Sequence, residues 1–107
     1  MVERETALIY ATWPDLESAR KMSQILITNK LAACCNLLPG MESHYMWESE
    51  IQQSQEVVLL CKTTCVKAAE VMAAIAENHP YDTPAILQLP LDAVAEKFRH
   101  WVQSTVT

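Results

Sequence analysis

The chain has 107 residues, with 8 Lys+Arg against 13 Asp+Glu and a formal net charge of −5 at pH 7. Half of its residues are hydrophobic and only 20% are charged, a balance that excludes a disordered chain and supplies one buried core, so residues 1–107 read as a single domain. No run approaches the ~18 uninterrupted apolar residues of a membrane helix, and the scattered Lys30, Lys62 and Lys67 form no basic stripe for nucleic acid.

The expectation is therefore a chain with neither a membrane nor a nucleic-acid partner. Residues 1–6 lack a basic region followed by an apolar run, which predicts a cytoplasmic protein. A domain of this size hides about two-thirds of its unfolded surface, so the apolar content leaves oily surface over and predicts association between copies.

Residues 6–12 are short, apolar and bounded by Pro14, which suits a strand covered on both faces. From Pro14 the spacing changes. Leu16, Ala19, Met22 and Leu26 recur at helical intervals, Asp15 stands where a helix start favours it, and Glu17 can pair with Lys21 one turn on. This predicts an amphipathic helix to Asn29. Residues 31–38 then run extended into Pro39-Gly40, the only glycine of the chain, where a bend or bulge is expected. Ser43–Trp47 and Glu56–Thr63 flank Glu48-Ser49-Glu50 and predict a long, kinked antiparallel hairpin whose turn lacks the usual Gly or Asn.

A second helix is expected from Thr64 to Asn78, with Ala68, Val71, Met72 and Ile75 inward and Pro80 ending it. Residues 85–89 read as a last strand closed by Pro90. Asp92 can cap a final helix whose Val94, Phe98, Trp101 and Val102 form one stripe, with His100 paired to Glu96. Strand, helix, strand, strand, helix, strand and an extra C-terminal helix make an α+β chain of the ferredoxin-like split βαβ (βαββαβ) type, helices on one face of the sheet. The other face must be hidden by the terminal helix or by another subunit.

The cysteines Cys34, Cys35, Cys61 and Cys65 carry no disulfide framework in a chain without an export signal, and read as buried free thiols. A hairpin joining their regions would bring Cys34 or Cys35 near Cys65. A zinc site has one marginal pair, Cys61 and Cys65, and needs a second. A thiol redox enzyme using Cys34 or Cys35 lacks a neighbour placed to lower a thiol pKa.

One glycine rules out P-loop and dinucleotide fingerprints, and residues 56–63 lack the consensus of an RNA-recognition motif. No nucleophile, base and orienting acid stand at motif spacing. The informative segment is Asn78-His79-Pro80-Tyr81-Asp82-Thr83-Pro84, where two prolines stiffen a loop bearing an imidazole, a phenol and a carboxylate. His79 could ligate a metal or meet an anion, or His79 and Tyr81 could simply hydrogen-bond the helix end. His44 is placed on an exposed strand face. Glu56 and Lys62 fit ordinary strand-end solvation, and Trp47 fits core or interface packing.

Lys30-Leu31-Ala32-Ala33-Cys34, Asn36-Leu37-Leu38-Pro39-Gly40, Tyr45-Met46-Trp47-Glu48, Lys62-Thr63, His79-Pro80-Tyr81-Asp82-Thr83-Pro84 and Leu89-Pro90-Leu91 together resemble the CutA divalent-cation-tolerance family, in order and spacing from about Leu8 to Val102. The resemblance implies a ferredoxin-like homotrimer related in architecture to PII signalling proteins, a role in tolerance to Cu²⁺ and other divalent cations, and no enzymatic activity. It also implies copper ligands at positions held here by Ala11, Asn78 and His79, leaving His79 alone as a metal ligand and weak binding. Ser49, Ala85 and Val94 depart from the family pattern. Trp47, Glu56, Lys62, His79 and Tyr81 match it and are expected to line a cleft between subunits. Such a cleft suits a weakly bound divalent cation or, as an alternative, a small anionic metabolite held by Lys62 and His79 in a PII-like sensor.

Overall fold

The computed structural model describes residues 5–106. The start of the chain, on which the expectation of a cytoplasmic protein leans, lies largely outside them. Seven elements follow one another: β1 (Thr6–Trp13), α1 (Leu16–Thr28), β2 (Cys34–Trp47), β3 (Glu50–Thr64), α2 (Ala68–Asn78), β4 (Ile86–Leu89) and α3 (Glu96–Thr105). The four strands form one antiparallel sheet in the order β2-β3-β1-β4, leaving β2 and β4 as its edges.

The period-2 geometry of β1 sends Ala7, Ile9, Ala11 and Trp13 to one face, where each is at most 1% exposed. Val57, Leu59 and Cys61 of β3 join them, and α1 and α2 close over this face with Ala19, Met22, Leu26, Ala68, Val71 and Ile75. Burial of each large aliphatic chain here stabilises the fold by about 1.5–3 kcal/mol.

The helix ends follow local chemistry. The Asp15 carboxylate accepts the Ser18 N–H at 2.8 Å, capping α1, and this bond holds its carboxyl below the usual range. At the other end Leu31 N–H reaches the Leu26 carbonyl at 2.9 Å and Lys30 N–H the Ile27 carbonyl at 3.0 Å, with Lys30 at φ 57°. These two bonds define a Schellman stop built on a lysine rather than a glycine. Glu17 and Lys21 form no ion pair among the described residues; both chains stand in solvent, where such a pair is worth only a few tenths of a kcal/mol.

The hairpin is the long feature of the molecule. Its arms pair from Cys34↔Lys62 to Trp47↔Glu50, with a bulge where Pro39 and Gly40 together oppose Val57 and Gly40 takes φ +81°. The turn is made by Glu48 and Ser49 alone, at φ 49° and 65°, a two-residue reversal in which two ordinary side chains occupy left-handed backbone. The hairpin projects: the radius of gyration is 14.6 Å, against about 13 Å for a compact chain of this length.

Three expectations need correction. Helix α2 begins at Ala68, not Thr64, because Thr64 remains paired to Thr6 in the sheet and its carbonyl and hydroxyl both accept from Lys67 N–H. Helix α3 begins at Glu96, with Ala95 and not Asp92 at its cap position. The anchor of α3 is its C-terminal half, where Val102 and Val106 pack on Ala33, while Phe98 and Trp101 stay outside with their rings 5.7 Å apart. His100 pairs with Arg99, whose Nη2 donates to His100 Nε2 at 3.0 Å, rather than with Glu96.

The cysteines also fall differently. Cys35 stands directly across from Cys61, and Cys34 across from Lys62 on the opposite face, whereas Cys65 lies beyond the end of β3 with its N–H on the Glu5 carbonyl. All four are free thiols. No helix among the described residues is long and apolar enough to cross a membrane.

Candidate functional site

The site begins where α2 stops. Pro80 disfavours helical backbone at His79, which leaves the helix at φ −83°, ψ 137° and swings its side chain back over the end of β1. There the imidazole stacks on Trp13, ring centroids 4.1 Å apart and planes 25° from parallel. Its Nε2 lies 2.7 Å from the Thr12 carbonyl, and its Nδ1 accepts the Tyr81 backbone N–H at 3.1 Å. A carbonyl only accepts and a backbone amide only donates, so these partners define a neutral ring protonated on Nε2.

Tyr81 continues the chain of contacts. Its ring lies 4.8 Å from that of His79, and its hydroxyl donates to Glu56 Oε2 at 2.9 Å. Burial, reinforced by the bond to Glu56 and the negative carboxylates of Glu56 and Asp15, pushes the Tyr81 phenol up to about 12. Trp13, His79, Tyr81 and Glu56 thus tie β1, the loop and β3 together.

Beside this chain lies a cavity of about 860 Å³ on the sheet face opposite α1 and α2, within the range of small-molecule sites. Its aromatic walls are Tyr10, Tyr45, Trp47 and Tyr81, and its acids are Glu56 and Asp82. Of the five residues expected together, Trp47, Glu56 and Tyr81 line it. Lys62 and His79 do not.

Lys62 shares a face with Glu56 but stands six residues along β3, about 20 Å at strand rise, and its ammonium donates to Asn36 Oδ1. His79 lies behind Tyr81 with both ring nitrogens engaged. Within one chain, then, the cavity wall presents acids and phenols and no Lys or Arg among the described residues, so the anion-binding arrangement expected of Lys62 and His79 is not assembled there. His44 also lines the cavity, exposed as expected on its strand and 2.7 Å from Glu42. No group of three or more His, Cys, Asp and Glu side chains among the described residues is arranged to hold a metal ion.

Sequence reasoning missed Trp13 and Tyr10. The alternation Ala7, Ile9, Ala11 continued for one more step would have placed Trp13 in the core next to the loop that carries His79, and the same alternation puts Tyr10 on the cavity face.

Comparison with known proteins gives this geometry a context. The family model of the CutA1 divalent ion tolerance protein matches residues 7–105. A divalent-cation tolerance protein CutA of Thermococcus kodakarensis is 39% identical over 98 residues, 92% of this chain and 93% of that protein. The chloroplastic protein CutA of Arabidopsis thaliana is 33% identical over 98 residues, again 92% of this chain, which spans only 54% of that longer protein. The crystal structure of the divalent ion tolerance protein CutA1 from Ehrlichia chaffeensis superposes with a TM-score of 0.92 at 37% identity, covering 95% of each chain. The small α+β fold, a four-stranded antiparallel sheet with three helices, is that of these structures, and the chain belongs to the CutA1 divalent ion tolerance family.

Proposed function

We propose that the chain acts as a cytoplasmic, non-enzymatic homotrimer in divalent-cation tolerance, responding to Cu²⁺ or another divalent ion through weak and reversible contact at His79 rather than through a resident metal centre. The observation that carries this reading is the state of the His79 imidazole. With Nε2 on the Thr12 carbonyl and Nδ1 on Tyr81 N–H, an ion reaches a ring nitrogen only by displacing a hydrogen bond of the protein. Ala11 and Asn78 offer no further imidazole or thiolate beside it.

Association is supported by the surface that one chain leaves uncovered. The edges β2 and β4 are open, and the hairpin carries Ile51 at 77%, Met46 at 64% and Trp47 at 59% exposure, with Leu87 of β4 at 54%. Unpaired edges and exposed apolar rows of this kind are what subunit contacts cover. In this reading the βαββαβ order is the ferredoxin-like split arrangement, with three copies closing one another's borders.

Calorimetric titration of Cu²⁺ into the wild type and His79→Ala tests the metal role, with free thiols counted before and after to exclude cysteine oxidation and circular dichroism confirming that the variant is folded. Weak binding by the wild type that the variant loses is expected; equal binding by both removes His79 as the ligand. Sedimentation at low concentration tests the assembly, and a persistent monomer overturns it.

A further inference from the structure

Away from the cavity and the His79 loop lies a pair of thiols that cation handling leaves unused. Cys35 of β2 and Cys61 of β3 are register partners on adjacent antiparallel strands, so both side chains leave the same face of the sheet, toward α1. Directly opposed residues have Cβ atoms about 4.5–5.5 Å apart, and a disulfide takes about 3.5–4.5 Å. A small local adjustment of two strands closes that gap.

The two thiols are unequal. Cys61 is fully buried, whereas Cys35 is partly exposed at the edge strand. The register excludes other couples, since Cys34 points to the opposite face and Cys65 lies past the end of β3.

We propose that Cys35 and Cys61 form a reversible dithiol–disulfide couple, closed by a hydroperoxide and reopened by a thiol reductant. Cys35, the more accessible, is the attacking sulfur: its thiolate takes the outer oxygen of the hydroperoxide, the O–O bond breaks, and the remaining alkoxide, or hydroxide when the oxidant is hydrogen peroxide, leaves as the alcohol or water with the proton that Cys35 released. The Cys61 sulfur then displaces water from the sulfenic acid, giving the S–S bond. Two electrons pass from the thiols to one hydroperoxide, and two molecules of water form when it is hydrogen peroxide.

Electrostatics agree with this order. The hydrogen bond from Cys61 holds the Cys35 thiol below its ordinary value against the opposing effect of burial, with Ser23 and Lys62 helping. The same bond, together with burial, pushes the Cys61 thiol well up. The closed bond would clamp the root of the hairpin just ahead of the Pro39-Gly40 bulge.

The test treats the Cys34→Ser/Cys65→Ser protein with hydrogen peroxide and reads intact mass and free thiols. A loss of about 2 Da and of both thiols, restored by dithiothreitol, is expected. Adding Cys61→Ser should abolish that loss and leave a Cys35 sulfenic acid that dimedone traps. Disulfide-linked chains, oxygen added without bond closure, or no reaction would each overturn the couple. If the double variant does not fold, peptide mapping of the oxidised wild type decides: a Cys35–Cys61 cross-link sustains the proposal, and its absence defeats it.

Discussion

His79 lies flat on Trp13, 4.1 Å between ring centroids, while its two nitrogens span from the Thr12 carbonyl to the Tyr81 amide. One side chain therefore pins the end of α2 to the end of β1 and shapes the loop that follows. His79→Ala should lower folding stability by about 1–3 kcal/mol, the cost of one stack and of polar partners left unpaired. His79→Phe retains the stack and should recover part of the loss. Urea unfolding of the three proteins measures both effects.

Tyr81 makes stability depend on pH at the alkaline end. Its phenol is raised from 10 to about 12 in the folded chain, so its contribution is complete below the unfolded value and is lost as pH climbs through about 12. Over that window the unfolded chain binds fewer protons than the folded one, and unfolding becomes easier. Tyr81→Phe should flatten the decline in stability between pH 10 and 12. Denaturant midpoints of wild type and variant across that range provide the check, and parallel declines would assign the effect elsewhere.

The hairpin reverses on Glu48 and Ser49, both in left-handed backbone that costs L residues energy. Ser49→Gly should stabilise the chain by about 0.5–1 kcal/mol, the relief of that strain less the extra freedom glycine brings to the unfolded chain. Differential scanning calorimetry would show it as a raised Tm.

Gly40 offers the converse. A Cβ there would meet no atom within 4 Å, yet φ is +81°, so Gly40→Ala should cost about 1 kcal/mol from the backbone alone. Gly40→Asn should cost less, because Asn tolerates positive φ better. Equal penalties for the two, read from urea midpoints, would contradict a purely backbone origin.

The elements whose periodicity is strong were legible in the sequence: β1 from its apolar run, α1 from Leu16, Ala19, Met22 and Leu26 with the Asp15 cap, and the kink from the single glycine. Tertiary contacts settled what pattern could not. Asp92 has the chemistry of a cap, but α3 is fixed by Val102 and Val106 against Ala33 at its far end.

Within the candidate site, Tyr81, Glu56 and Trp47, which the family resemblance groups together, stand on one face of the sheet or on the loop above it and line one cavity. Lys62 shares that face as well and stands apart from them within one chain. Distance along the strand, invisible in a list of motif residues, separates it from Glu56. His79 stands out in the sequence for its imidazole, whereas its partners Thr12 and Trp13 lie 67 and 66 positions away in the chain and declare themselves only in three dimensions.

The Pro39-Gly40 bulge sets more than curvature. Before it, the odd-numbered Cys35 and Leu37 look toward the helices; after it, the odd-numbered Ser43, Tyr45 and Trp47 look the other way, into the cavity. That one surplus position acts as a change of reading frame for the strand, so removing a single residue there would turn the aromatic wall inside out without altering any side chain that forms it.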